Sequence, residues 1–86
     1  MNALINPLEQ AMQIVSWSGT GTKDDPIKPI VEPIENSAVI AEVEEQTFDV
    51  AEPLFWIECA NTINADDYFY NTQDQQIYPI ENAPQP

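Results

Sequence analysis

The sequence predicts a mainly β protein, a small antiparallel meander of about four strands preceded by a short N-terminal helix and an extended Pro-rich arm. Three observations carry this. Short apolar runs rich in β-branched and aromatic residues recur between Ser37 and Ile80. A capping pattern followed by helically spaced apolar residues stands near the N-terminus. Between the two, Pro26, Pro29 and Pro33 recur every three or four residues.

"NPLEQAMQIVSW" reads as a helix over about residues 7–15. Asn6 suits the cap, Pro7 the first helical position, and Glu9 stands where a capping box places its acid. Leu8, Met12 and Val15 then share one side, with Ala11 beside them. So short a helix is marginal alone and needs a surface to lie on. "SWSGTGT" ends it, and "GTGTKDD" reads as a flexible hinge. It lacks the spacing of a phosphate-binding loop, and no predicted strand precedes it.

"DDPIKPIVEPIEN" is read as an extended strap, because proline fixes φ and removes backbone donors. Ile27, Ile30, Val31 and Ile34 make it too apolar for a solvated linker, so it is expected to lie along a surface. The string "PIEN" stands at residues 33–36 and again at 79–82, bracketing the segment between. Residues 1–36 are therefore taken as helix and arm, 37–80 as a β-module, and 81–86 as a flexible tail.

Within the module, "SAVIAEVEE" alternates as a strand, with Val39, Ala41 and Val43 on one side and Ile40, Glu42 and Glu44 on the other. "TFDVAEP" reads as a short strand or turn around Phe48 and Val50. "LFWIEC" is a strand apolar on both faces, Leu54 and Trp56 on one, Phe55, Ile57 and Cys59 on the other, which suggests a central strand covered on both sides. "DYFYN" and "QIYPI" form a hairpin around "NTQDQ". In that hairpin Tyr68 and Tyr70 share a face and Phe69 takes the other. One face is expected to build the core with Trp56 and the other to pack under an arm.

Composition narrows the function. The chain has 86 residues, a formal net charge of -13, only Lys23 and Lys28 as basic side chains, and no histidine. Direct nucleic-acid binding is not expected, since nothing here can neutralise phosphates. An anionic membrane surface would repel the chain, and no run approaches the roughly 18 apolar residues of a spanning helix. "MNALINPLEQ" does not read as a signal peptide. Basic proteins, apolar surfaces or cations are the expected partners.

The sequence offers little catalytic chemistry. Cys59 is the one cysteine, and without histidine it has no base to activate it. It reads as a small hydrophobe in a strand. Acid pairs at Asp24–Asp25, Glu44–Glu45 and Asp66–Asp67 sit in loops or on opposite strand faces, so they do not face one substrate. "NADD" and "NTQDQ" offer oxygen ligands but lack the EF-hand pattern, and solvated loop caps are the simpler reading. Neither an enzyme nor a cofactor is expected.

The segment "AVIAEVEEQTFDVAEPLFWIECANTINADDYFYNTQDQQIYPI" resembles a short β-module of small tailed-bacteriophage proteins associated with tail fibres and other virion components. The resemblance covers about residues 38–80 and includes no catalytic signature. It implies a virion structural or accessory protein, a tail, fibre-attachment or capsid-decoration subunit, made in the host cytoplasm and carried in the virion.

Physical reasoning adds a docking role. A module this small buries too little surface to be robust without staples, so neighbours are expected to complete it; the resemblance implies that these are a larger phage structural protein, within a symmetric assembly, or further copies in a homo-oligomer. The expected contact residues are Leu8, Met12, Val15, Trp17, Ile27, Ile30, Ile34, Phe55, Trp56, Tyr68, Tyr70 and Tyr78. Composition supports two further readings. One is an acidic DNA mimic inhibiting a host nuclease or DNA-binding protein, which needs carboxylates in phosphate-like rows. The other is a receptor-binding module using the tyrosines.

Overall fold

The computed structural model describes residues 1–86 and contains strands and turns but no helix. The mainly β, antiparallel class holds. The N-terminal helix does not form. Residues 2–6 are strand β1 and residues 12–18 strand β2, followed by β3 (28–33), β4 (37–44), β5 (55–58), β6 (68–71) and β7 (76–79).

The residues that suggest a capping box instead close a single turn. The Asn6 side-chain carbonyl accepts from Leu8 N at 3.1 Å, and its backbone carbonyl accepts from Glu9 N at 3.3 Å. Asn and Pro suit such a turn as well as they suit a helix start. The next segment, "MQIVSW", is rich in β-branched and aromatic residues and pairs with β3. Leu8, Met12 and Val15 therefore share no helical face. Leu8 sits at the turn, 74% exposed, while Met12 and Val15 lie in β2.

The main sheet has the order β5-β1-β4-β6-β7, and β2-β3 form a separate two-stranded sheet. It is not a simple meander, because β1 lies between β4 and β5 and pairs antiparallel with both. The expected arm and the expected module thus share one sheet. β1 is also the most buried strand, with Ala3, Leu4 and Ile5 all in the core. The expectation that "LFWIEC" is a central strand is corrected. β5 is an edge strand, and β1 takes an interior place.

A β-bulge sets the two faces. Leu4 is opposite Glu42 but Ile5 is opposite Ile40, so Ala41 is the extra residue in β4. The bulge reverses the alternation predicted for "SAVIAEVEE". Ala38, Ile40 and Val43 join the inner face with Ala3, Ile5, Phe55, Ile57, Tyr70 and Ile77. Cys59, Ile63 and Ala65 from the β5–β6 connection pack onto this face. The second face carries Leu4, Trp56, Val39, Phe69 and Tyr78, related by cross-strand pairing.

The strap is extended, as expected, and forms β3 paired with β2. The "GTGT" loop joins them and is held by its own bonds. Thr20 N and Gly21 N donate to Asp25 O, and Asp25 N donates to Thr22 Oγ1. Gly19 has φ +101°, and a Cβ there would lie 2.2 Å from the Pro26 carbonyl oxygen, so no other residue fits. Two residues of the expected tail, Asn82 and Ala83, are held against β2. Asn82 Oδ1 accepts from Ile14 N, Ala83 N donates to Ile14 O, and Ala83 O accepts from Trp17 Nε1.

The molecule is long and thinly covered. A folded chain of 86 residues has an expected radius of gyration of about 12 Å; the observed value is 15.3 Å, with extents of 47 × 23 × 21 Å. A monomer of 9.7 kDa exposes roughly 5,100 Å², and this chain exposes 6025 Å². Only eight residues are buried.

Two substitutions separate the β1 strand from the helix reading. Ile5→Ala removes a side chain with no exposure and is expected to cost about 2–5 kcal/mol, read by denaturant unfolding. Leu8→Ser should change stability by less than about 0.5 kcal/mol, an outcome at odds with Leu8 anchoring a docked helix.

Candidate functional site

The expected contact residues fall into three groups. Met12, Val15 and Ile30 lie exposed on the β2–β3 hairpin with Val31, and Leu8 is exposed at the turn before it. Ile27, Ile34 and Trp17 are half-buried on the same arm. Trp17 is held by its bond to Ala83 O at 3.0 Å, and Ile34 N donates to Ala11 O at 2.8 Å. Phe55, Trp56, Tyr68, Tyr70 and Tyr78 belong to the main sheet.

The aromatic residues divide between the two faces. Tyr68 and Tyr70 share the inner face, with Phe69 opposite them. Tyr70 is 6% exposed and meets Phe55 edge-on at 5.5 Å, so it is core and offers no contact surface. Its partner is Phe55 rather than the expected Trp56, because one residue along a strand changes the face. Trp56 meets Phe48 edge-on at 5.1 Å, and its Nε1 donates to Phe48 O at 2.8 Å. Phe69 and Tyr78 lie side by side at 6.1 Å on the second face. They line a hollow with Gln13 and Glu81, so β2 passes close to this face.

The joint between the two sheets is polar. Ser37 Oγ donates to Ile34 O at 2.6 Å and accepts from Ala11 N at 3.0 Å. Val39 N donates to Glu9 O at 3.0 Å. These bonds hold the start of β4 to both ends of the hairpin, and Ala11 is buried there.

In the acidic loops it is the asparagine amide oxygens that accept from the backbone. Asn64 Oδ1 accepts from Asp66 N and Asp67 N, and Asn64 Nδ2 donates to Asp67 Oδ2. Asn71 Oδ1 accepts from Gln73 N and Asp74 N. No group of three or more metal-ligating side chains converges. No helix is long and apolar enough to cross a membrane.

Cys59 lies just past β5, with its N–H donating to Met1 O at 2.9 Å. It lines a groove of about 220 Å³ with Ile57, Ala60, Ile63 and Ile77. Burial pushes its thiol above the ordinary range, opposed by the weaker pull of the N-terminal charge. The Tyr78 hydroxyl donates to Asp74 Oδ2. That hydrogen bond, aided by desolvation and by the Asp74 charge, raises its pKa.

Composition and alternation place the aromatics, but they miss the polar joint at Ser37. The two serine bonds join residues far apart in sequence, and "ENSAV" carries no local sign of them. Comparison with family models, with curated proteins and with solved structures finds no match.

Both titrations are checkable. The Tyr78 phenol should ionise above the ordinary tyrosine range in a spectrophotometric titration, and Asp74→Asn should bring it down. The neutral Cys59 thiol is the favoured form in the fold. Native protein should therefore react with iodoacetamide more slowly than unfolded protein at mildly alkaline pH. Its contribution to stability is complete below the ordinary thiol range and fades as pH rises through the elevated native value.

Proposed function

We propose that this chain is a docking subunit of a larger assembly, and that the assembly is a tailed-phage virion, with the chain serving as a tail, fibre-attachment or capsid-decoration component. The observation that carries the docking part is the shortage of covered surface. The chain exposes roughly 900 Å² more than expected for its mass, close to what one partner contributes to a standard interface, about 800 Å². Four of the eight large exposed apolar residues, Met12, Val15, Ile30 and Val31, lie on the β2–β3 hairpin, where Met12 and Val31 share a face and Ile30 takes the other.

The virion part of the proposal rests on the resemblance of residues 38–80 to small phage β-modules. A virion subunit acts by binding rather than by chemistry, which suits a chain without histidine and with one half-buried thiol. Its charge suits a basic protein partner.

The test is composition of purified particles. The protein is expected in them at a fixed stoichiometry that survives washing in moderate salt. Its absence from particles, together with a monomer that binds no virion protein, would sink the reading. Met12→Asp with Val31→Asp should lower its copy number in particles, while folding stays intact because both side chains are exposed.

A further inference from the structure

A sheet edge is a template for another strand, and this fold has four: β2, β3, β5 and β7. The outer side of β2 is already engaged at Ile14, whose N donates to Asn82 Oδ1 and whose O accepts from Ala83 N. Hydrogen-bond alternation shows which backbone groups point outward at each. In an antiparallel pair, every second residue faces its partner strand and the others face away.

At β3, Ile34 N donates to Ala11 O, so Pro33, Val31 and Pro29 are the outward positions. Two of the three have no N–H. At β7, Ile80 N donates to Asp67 O, so Pro79 and Ile77 face outward, and again a proline removes a donor. Prolines placed this way blunt an edge without weakening its own ladder. At β5, Cys59 N donates to Met1 O, so Glu58 and Trp56 face outward. Both carry N–H groups, and no strand lies beyond them. Of the four edges, β5 alone has every outward N–H both present and free of an intramolecular partner.

We infer that the β5 edge receives an extended, basic segment of a partner protein by antiparallel strand addition. An added strand would alternate between the two faces of the sheet. Side chains on the inner face would meet Phe55 and Ile57 and the adjoining groove lined by Cys59, Ile63 and Ile77, which takes an apolar residue. Those on the second face would meet Glu58, with Glu44 across Asn2 from it. Opposite charges at facing positions stabilise a sheet pair, so these positions take lysine or arginine. A second copy is disfavoured, because it brings another net charge of -13. The proposal deepens the docking reading and rests on it for the nature of the partner. It is tested on the isolated chain, so it can fail while the protein is still found in particles, and the reverse.

The probe is a short capped peptide alternating lysine with valine, and the readout is amide hydrogen exchange of the full chain. Adding it should slow exchange at Trp56 and Glu58. A peptide with glutamate for lysine should not. Glu58→Pro copies the device of β3 and β7, leaves the β1 bonds in place and should weaken binding about three- to tenfold by removing one backbone hydrogen bond. Glu58→Lys keeps the backbone and should weaken it about two- to fivefold, which serves if the proline variant does not fold. Protection at Val31 or Ile77 instead, equal binding of the glutamate peptide, or Trp56 and Glu58 protected by concentration-dependent self-association without peptide would each overturn the inference.

Discussion

The fold depends on β1 being held between β4 and β5. Its backbone bonds in both directions, and its Ala3, Leu4 and Ile5 supply three of the eight buried residues. Without it, β5 has no neighbour, and Phe55 and Ile57 lose the strand that presents them to Tyr70 and Ile40. The segment from Ser37 to Ile80 therefore has no complete sheet of its own. The chain compensates for its small size by using its first residues as interior structure.

Keeping β1 in the middle pushes other elements outward. The turn at Asn6 sends the chain into the β2–β3 hairpin, which is anchored by Ser37 at its base and by Asn82 and Ala83 along β2. The hairpin pairs β2 with β3, gives the outward backbone groups of Ile14 to Asn82 and Ala83, and leaves apolar side chains exposed. The two "PIEN" strings play one shared role here. Each places its proline at an outward position of an edge strand, Pro33 in β3 and Pro79 in β7. Their asparagines diverge. Asn36 adopts a positive φ of 53° to enter β4, whereas Asn82 accepts a bond from Ile14.

The strands that are short runs of β-branched and aromatic residues are legible in sequence: β4, β5 and the β6–β7 hairpin with its "NTQDQ" loop. The sharing of a face by Tyr68 and Tyr70 was legible too, because it follows from a period of two. Three features were hidden, each for a physical reason. Asn6, Pro7 and Glu9 serve a turn or a helix start equally, and only the pairing of β2 with β3 decides between them. The bulge at Ala41 shifts a face without any Gly or Pro to mark it. The apolar second face of β5 suggested a buried strand, yet its cover is Phe48 from a nearby connection, which satisfies the pattern at an edge. For the candidate surface, Met12, Val15 and Ile30 are exposed but stand on a hairpin rather than on a helix and strap. The outward prolines could be interpreted only once register was known.

The central position of the earliest strand also has a consequence for synthesis. β1 leaves the ribosome before either neighbour, and its second partner, β5, emerges roughly fifty residues later, a few seconds at ordinary elongation rates. During that interval an apolar strand waits with both edges open until β4 emerges, and with one open until β5 does. The pairing is also non-local, which slows folding even after release. The acids downstream of β1 in the chain repel other nascent copies while it waits. The net charge that shapes the choice of partner in the finished molecule would thus also act earlier, keeping unfinished molecules apart.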